Sequence, residues 1–167
     1  PVVFLTDDNY ALPTAVAIRS LIDHWAGALP LRIYIVAHAV GKENADRLKL
    51  LSNTNFLVEL IDASHDRADL ERFYETGSYV SATSMLKFCI PRLLPNDDVI
   101  LYLDGDVLVQ KDLSPLTQID VSNYYVAAVK DMTGMLGSGL HTMAGVSLYF
   151  NSGVLLLNAK RFREESL

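Results

Sequence analysis

The chain has 167 residues, half of them apolar and a fifth charged, with a formal net charge of −6. That length and mixture suit one globular domain with a real core and exclude a disordered segment, while the acidic balance argues against broad nucleic-acid binding, which needs a basic surface. No apolar run approaches the ~20 residues that span a bilayer, and the start, Pro1-Val2-Val3-Phe4, has neither the basic nor the long apolar stretch of a secretory leader.

Val2 to Thr6 is a short β-branched and aromatic run, read as a central strand. Asp7-Asp8-Asn9 closes it and is placed to cap the next element. Residues 12–25 space Leu12, Val16, Ile18, Leu21, Ile22 and Trp25 as an amphipathic helix with Pro13 in its first turn. Leu31 to Ala37 is a second strand, Lys42 to Leu51 a helix, and Phe56 to Ile61 a third strand. Residues 66–76 form a charged helical segment, and 82–93 a helix that Pro91 must bend or end. Cys89, the only cysteine, lies between Phe88 and Ile90 and reads as a buried structural thiol, which fits a reducing compartment and a cytoplasmic location.

Val99 to Leu103 is the next buried strand, followed by apolar Val107 to Val109. Ser114-Pro115-Leu116 suggests a short helical turn, and Tyr124 to Val129 another strand. Residues 133–145 hold four of the nine glycines and read as a loop. Ser147–Phe150 and Gly153–Leu157 read as two strands broken by Asn151-Ser152, and a helix begins near Asn158. Strands alternating with helices define an α/β class with a mostly parallel, Rossmann-like sheet flanked by helices.

The chemistry concentrates at Asp104-Gly105-Asp106. Two carboxylates that end an apolar strand are costly to bury unless a cation or a proton neutralises them. Gly105 lets a ligand approach the backbone between them. Oxygen donors in this arrangement suit Mn²⁺ or Mg²⁺, with waters and ligand phosphates completing the shell. A nucleoside diphosphate would supply those phosphates, and a bridging ion would offset the charge that builds on it as a leaving group.

Three polar clusters each follow an apolar run: Asp7-Asp8-Asn9-Tyr10, Asp104-Gly105-Asp106 and Asn151-Ser152. If their strands are parallel neighbours, the clusters meet on one edge of the sheet. Asp7 and Asn9 can read the edge of a base and Tyr10 can stack on it; taken singly, the first two are equally a helix cap and the third a packing aromatic. Lys87 either snorkels to solvent or turns inward to neutralise a phosphate. None of the four histidines has metal-ligand spacing, and His141 stands out only for lying in the glycine-rich loop. Locally, Leu103-Asp104-Gly105-Asp106-Val107 also fits a haloacid-dehalogenase-type phosphohydrolase with Asp104 as nucleophile, although about a hundred residues precede a strand that such enzymes place first.

These clusters, in this order, resemble glycosyltransferase family 8, the retaining enzymes that include glycogenin and bacterial lipooligosaccharide galactosyltransferases. The matching stretches are Phe4-Leu5-Thr6-Asp7-Asp8-Asn9-Tyr10, Ile90-Pro91-Arg92-Leu93-Leu94-Pro95, Leu101 to Val109, and Tyr149 to Asn158. The resemblance implies a GT-A nucleotide-diphospho-sugar transferase fold and a Mn²⁺-dependent hexosyltransferase. It implies a UDP-glucose or UDP-galactose donor and a glycan or lipid-linked acceptor. Carried onto this chain, Thr6, Asp7, Asn9 and Tyr10 hold the uracil and ribose. Asp104 and Asp106 hold the metal, with Gly105 beside the ribose, and Lys87 stands where the family commonly has arginine. Asn151, Ser152 and Asp131 face the donor sugar. The family's later acidic-glutamine motif and metal-binding histidine have no match here. The expectation is therefore one nucleotide-sugar-binding domain over 1–167, incomplete at its C-terminal end and peripheral at the membrane in the longer protein. A UDP-sugar-binding module without turnover is the non-enzyme alternative.

Overall fold

The structure is a computed structural model that describes residues 1–64, 85–130 and 150–165. The first strand, β1 (Val2–Asp7), is buried from Val2 to Thr6 and hydrogen-bonds to a parallel neighbour on either side. On one side lies β2 (Leu31–His38), then β3 (Phe56–Asp62); on the other lies β4 (Val99–Leu103). Beyond β4 come β6 (Phe150–Asn158) and then β5 (Val126–Lys130) at the edge, giving the order β3-β2-β1-β4-β6-β5. The first four strands in that order are parallel, whereas β6 is antiparallel to both of its neighbours.

Successive residues of the central strands point to opposite faces. Phe4, Ile33, Ile35, Leu101 and Leu103 pack with Ile18 and Leu21 of α1 (Ala11–His24) and Leu48 of α2 (Lys42–Lys49). Val3, Leu5, Tyr34, Val36, Ile100 and Tyr102 pack on the other face with Leu86, Cys89 and Ile90. A sheet covered on both faces needs apolar residues at every position, so these strands read in sequence as unbroken apolar runs. Cys89 is buried, as a structural thiol should be.

Most expected elements form with small changes of boundary: α2 ends at Lys49, and β5 runs from Val126 to Lys130. The apolar Val107 to Val109 leaves the sheet and drops Val109 into the α1-side core. From Leu86 onward the 82–93 helix is two pieces, a 3-10 turn over Leu86–Cys89 and a short α3 over Ile90–Leu93. Pro91 sits in the first turn of α3, where its missing N–H costs nothing, and cannot continue a helix begun upstream. Ser114–Gln118 is a 3-10 turn, also with its proline at the start.

Asn151-Ser152 does not break a strand, because β6 runs straight through them to Asn158. There the Asn158 side chain caps α4 (Ala159–Glu164) by accepting from the Arg161 N–H at 3.0 Å. Its Nδ2 donates to the carbonyls of Val121 and Tyr124 at 2.9 and 3.1 Å, tying β6 to the approach to β5. The expected helix at 66–76, the loop at 133–145, the strand residues 147–149 and Asp131, His65 and His141 lie outside the described residues. Among the described residues, no helix is long and apolar enough to cross a membrane.

Candidate functional site

The strands β1 and β4 run parallel; β4 ends at Leu103 opposite Phe4, and β1 continues to Asp7. Their C-terminal residues therefore open on one edge of the sheet, where open α/β folds bind ligands. Asn151 and Ser152 reach the same edge by the opposite route: they lie at the start of β6, and the antiparallel pairing of β6 with β4 brings that start to the end of β4. The Asp104 N–H donates to the Gly153 carbonyl at 2.8 Å, one step past the Leu103–Val154 pair. The three clusters do lie on one edge of the sheet, but only two of them by parallel pairing.

Asp104 is the hub. Its Oδ1 accepts from the buried Tyr102 hydroxyl and pairs with the Lys87 ammonium at 2.9 Å. Tyr102 precedes Asp104 by two positions, so strand alternation stacks the two side chains on one face. Burial, then the charge and hydrogen bond of Asp104 and the charge of Asp106, push the Tyr102 phenol far above its ordinary range, so it stays a donor. Lys87 reaches the carboxylate from the 3-10 turn before α3. Its ammonium also donates to the Ser152 carbonyl at 3.1 Å and to Ser152 Oγ at 3.4 Å, and it stands 4.8 Å from the centre of the Tyr102 ring. The side chain is only 16% exposed, so it is turned inward and does not snorkel.

Asp106 is exposed beside this hub, and Gly105 between them is buried. A Cβ on Gly105 would stand 2.4 Å from Thr14 Oγ1, so glycine is required for α1 to pack this close to the turn. A Cβ on Gly153 would stand 3.0 Å from Asp104 Oδ2 and 3.1 Å from Asn151 Oδ1. Glycine at 153 thus keeps the ground beside the second carboxylate oxygen open. Two carboxylates one residue apart are the hard oxygen donors that a small divalent cation takes. Among the described residues, no group of three or more potential metal-ligating side chains forms, so a cation here would draw the rest of its shell from elsewhere.

The β1 cluster divides its labour. Thr6 is fully buried; its hydroxyl donates to the Asp7 carbonyl at 3.1 Å and accepts from Thr14 Oγ1 at 3.0 Å, which turns that side chain into α1. Asp7 Oδ1 accepts from the Tyr10 N–H at 3.0 Å. Asn9 is exposed, and Tyr10 is 51% exposed at the sheet edge. None of Asp7, Asp8 and Asn9 is the cap residue of α1, which is Tyr10, and Asp7 serves the helix start only through its bond from the Tyr10 N–H. Asp8 serves α2 instead, accepting from the Gly41 N–H at 2.7 Å and from Asn44 Nδ2 at 2.9 Å. Those bonds hold its carboxyl below the usual range, the Gly41 bond contributing most.

Sequence reasoning placed the carboxylates and Lys87 but missed Tyr102. The signal was present, because position 102 faces the same way as 104 in any strand.

A mixed six-stranded sheet flanked by helices, with an acidic edge at the ends of β1 and β4, is an α/β fold that matches GT-A glycosyltransferases. Among solved structures it matches galactosyltransferase LgtC, in a complex with donor and acceptor sugar analogs, with a TM-score of 0.80 and 26% identity over 98% of this chain and 59% of that one. Residues 1–167 match Glycosyl transferase family 8, and the chain belongs to that family. It is 26% identical to a putative glycosyltransferase of Haemophilus influenzae over 99% of this chain and 50% of the relative. It is 28% identical to glycosyltransferase GlyF of Streptococcus pneumoniae over 99% of this chain and 38% of GlyF. The chain thus spans half or less of these two relatives. Family membership over the whole chain displaces the phosphohydrolase alternative.

Proposed function

We propose that this chain is the donor-binding part of a metal-dependent, retaining hexosyltransferase. In this reading it takes UDP-glucose or UDP-galactose and delivers the sugar to a hydroxyl of a glycan or lipid-linked acceptor. The observation that carries the reading is the meeting of Lys87, Tyr102 and Ser152 around Asp104, with Asp106 exposed beside them, on the edge where β1 also ends. Asp104 and Asp106 hold Mn²⁺ or Mg²⁺, which when bound neutralises charge on the departing diphosphate. Asp7 and Asn9 hold the uracil and ribose, and Tyr10 offers its exposed ring to the base. Asn151, Ser152 and Asp131 face the hexose. The chain's own contribution is to position the donor and to stabilise charge as it develops on UDP. The relative crystallised with donor and acceptor sugar analogs supports a sugar donor and a sugar acceptor in general.

Thermal unfolding with UDP and Mn²⁺ tests the proposal, since a ligand that binds only the folded chain raises its melting temperature. UDP with Mn²⁺ is expected to stabilise the wild type. Asp104→Ala and Asp106→Ala are expected to lose the Mn²⁺-dependent part, and an unchanged shift in both would remove the metal from these residues. Release of hexose from UDP-hexose then separates an enzyme from a module that binds without turnover.

A further inference from the structure

Lys87 is placed to do more than meet a phosphate. Its ammonium is 2.9 Å from Asp104 Oδ1, the same oxygen that the Tyr102 hydroxyl engages, so two donors already occupy it. The carbonyl and hydroxyl of Ser152 and the Tyr102 ring hold the ammonium from other sides, and the side chain is mostly buried. A cation approaching Asp104 through Oδ1 must displace this ammonium. One approaching through Oδ2 must sit beside it and meet like charge in a half-buried setting, where screening is weak. Either route costs binding energy.

The geometry points to a competition at Asp104: Lys87 withholds the carboxylate from a bare divalent cation and yields it when a diphosphate arrives to share its charge. This rests on the donor-site reading above and adds an order to it. Two cationic groups around one carboxylate repel. A diphosphate of opposite charge relieves that repulsion and gives the ammonium a new partner, while Ser152 keeps the lysine at the edge of the sheet. Cation and diphosphate then bind with positive coupling, and the coupling is reciprocal. The apo chain sets its own lysine against Asp104 and so binds free metal only weakly.

Mn²⁺ binding to the full chain, read from the electron paramagnetic resonance signal of free Mn²⁺ with and without UDP, tests this independently of turnover. UDP is expected to tighten Mn²⁺ binding by the wild type at least tenfold. Lys87→Met is expected to bind Mn²⁺ about tenfold more tightly than wild type without UDP and to show a tightening by UDP smaller by about the same factor, a tenfold change corresponding to about 1.4 kcal/mol. Lys87→Arg, which keeps the charge, is expected to follow the wild type in both measurements. Lys87→Gln is the second neutral replacement if the methionine variant melts far below wild type. Unchanged or weaker nucleotide-free Mn²⁺ binding in the neutral variants overturns the competition, as does UDP tightening that is undiminished in them. A wild type that binds UDP and Mn²⁺ independently sinks the competition alone, whereas one that binds neither sinks the donor-site reading with it.

Discussion

Gly105→Ala is the sharpest test of how the acidic turn is built. The added methyl group would sit 2.4 Å from Thr14 Oγ1 and 3.3 Å from the Leu5 carbonyl. Thr14 is fully buried on α1, and its hydroxyl donates to Thr6 Oγ1 at 3.0 Å, so the atom in the way cannot swing into solvent. Overpacking of this kind costs about 1–3 kcal/mol, and loosening the buried Thr14–Thr6 bond adds about 1 kcal/mol. A loss of roughly 2–4 kcal/mol in a domain of this size lowers the melting temperature by roughly 4–16 °C. Calorimetry of Gly105→Ala, Thr14→Ala and the double variant measures it. Removing Oγ1 clears the clash, so the double variant is expected to be more stable than the sum of the single losses by about 1–3 kcal/mol. Additive losses, or a Gly105→Ala protein that melts with the wild type, would refute the close approach of α1 to the turn.

Three further outcomes follow from the same geometry. Asn158→Asp keeps the acceptor for the Arg161 N–H but turns an oxygen toward the Val121 and Tyr124 carbonyls; urea unfolding is expected to show a loss of about 2–4 kcal/mol from the lost donor and the facing oxygens. Tyr10→Ala removes a half-exposed ring; calorimetric titration is expected to show UDP binding weakened by about 1–3 kcal/mol, as for bases stacked on aromatics, and unchanged binding returns Tyr10 to a packing role. The Asp8 carboxyl titrates below its ordinary range because Gly41 and Asn44 bond its charged form. Its contribution is therefore present at neutral pH and lost as pH falls through the carboxylate range. Melting temperatures of Asp8→Asn are expected to fall less than those of wild type between neutral pH and pH about 3, and parallel curves would assign that acid sensitivity to other groups.

Strands β1, β2 and β4 could be read from the chain because burial on both faces writes itself as an unbroken apolar run. Asp104-Gly105-Asp106 was legible because carboxylates closing such a run demand compensation. What the chain did not reveal depends on residues far apart in sequence. Asn151-Ser152 looked like a break between strands, because the direction in which β6 returns is set by its pairing with β4 and leaves no local mark. Asp8 looked like a cap for the helix beside it, yet its partners Gly41 and Asn44 come from α2.

Lys87 shows the division most plainly. Sequence alone established its charge and its place on an apolar segment, and both fates of such a lysine were open. The 3-10 turn that ends before α3, the stacking of Tyr102 under Asp104 and the return of Ser152 beside them decided that it turns inward. Hydrophobic periodicity is a local property and survives in one dimension, whereas the partner of a polar side chain is chosen by how the packed elements meet.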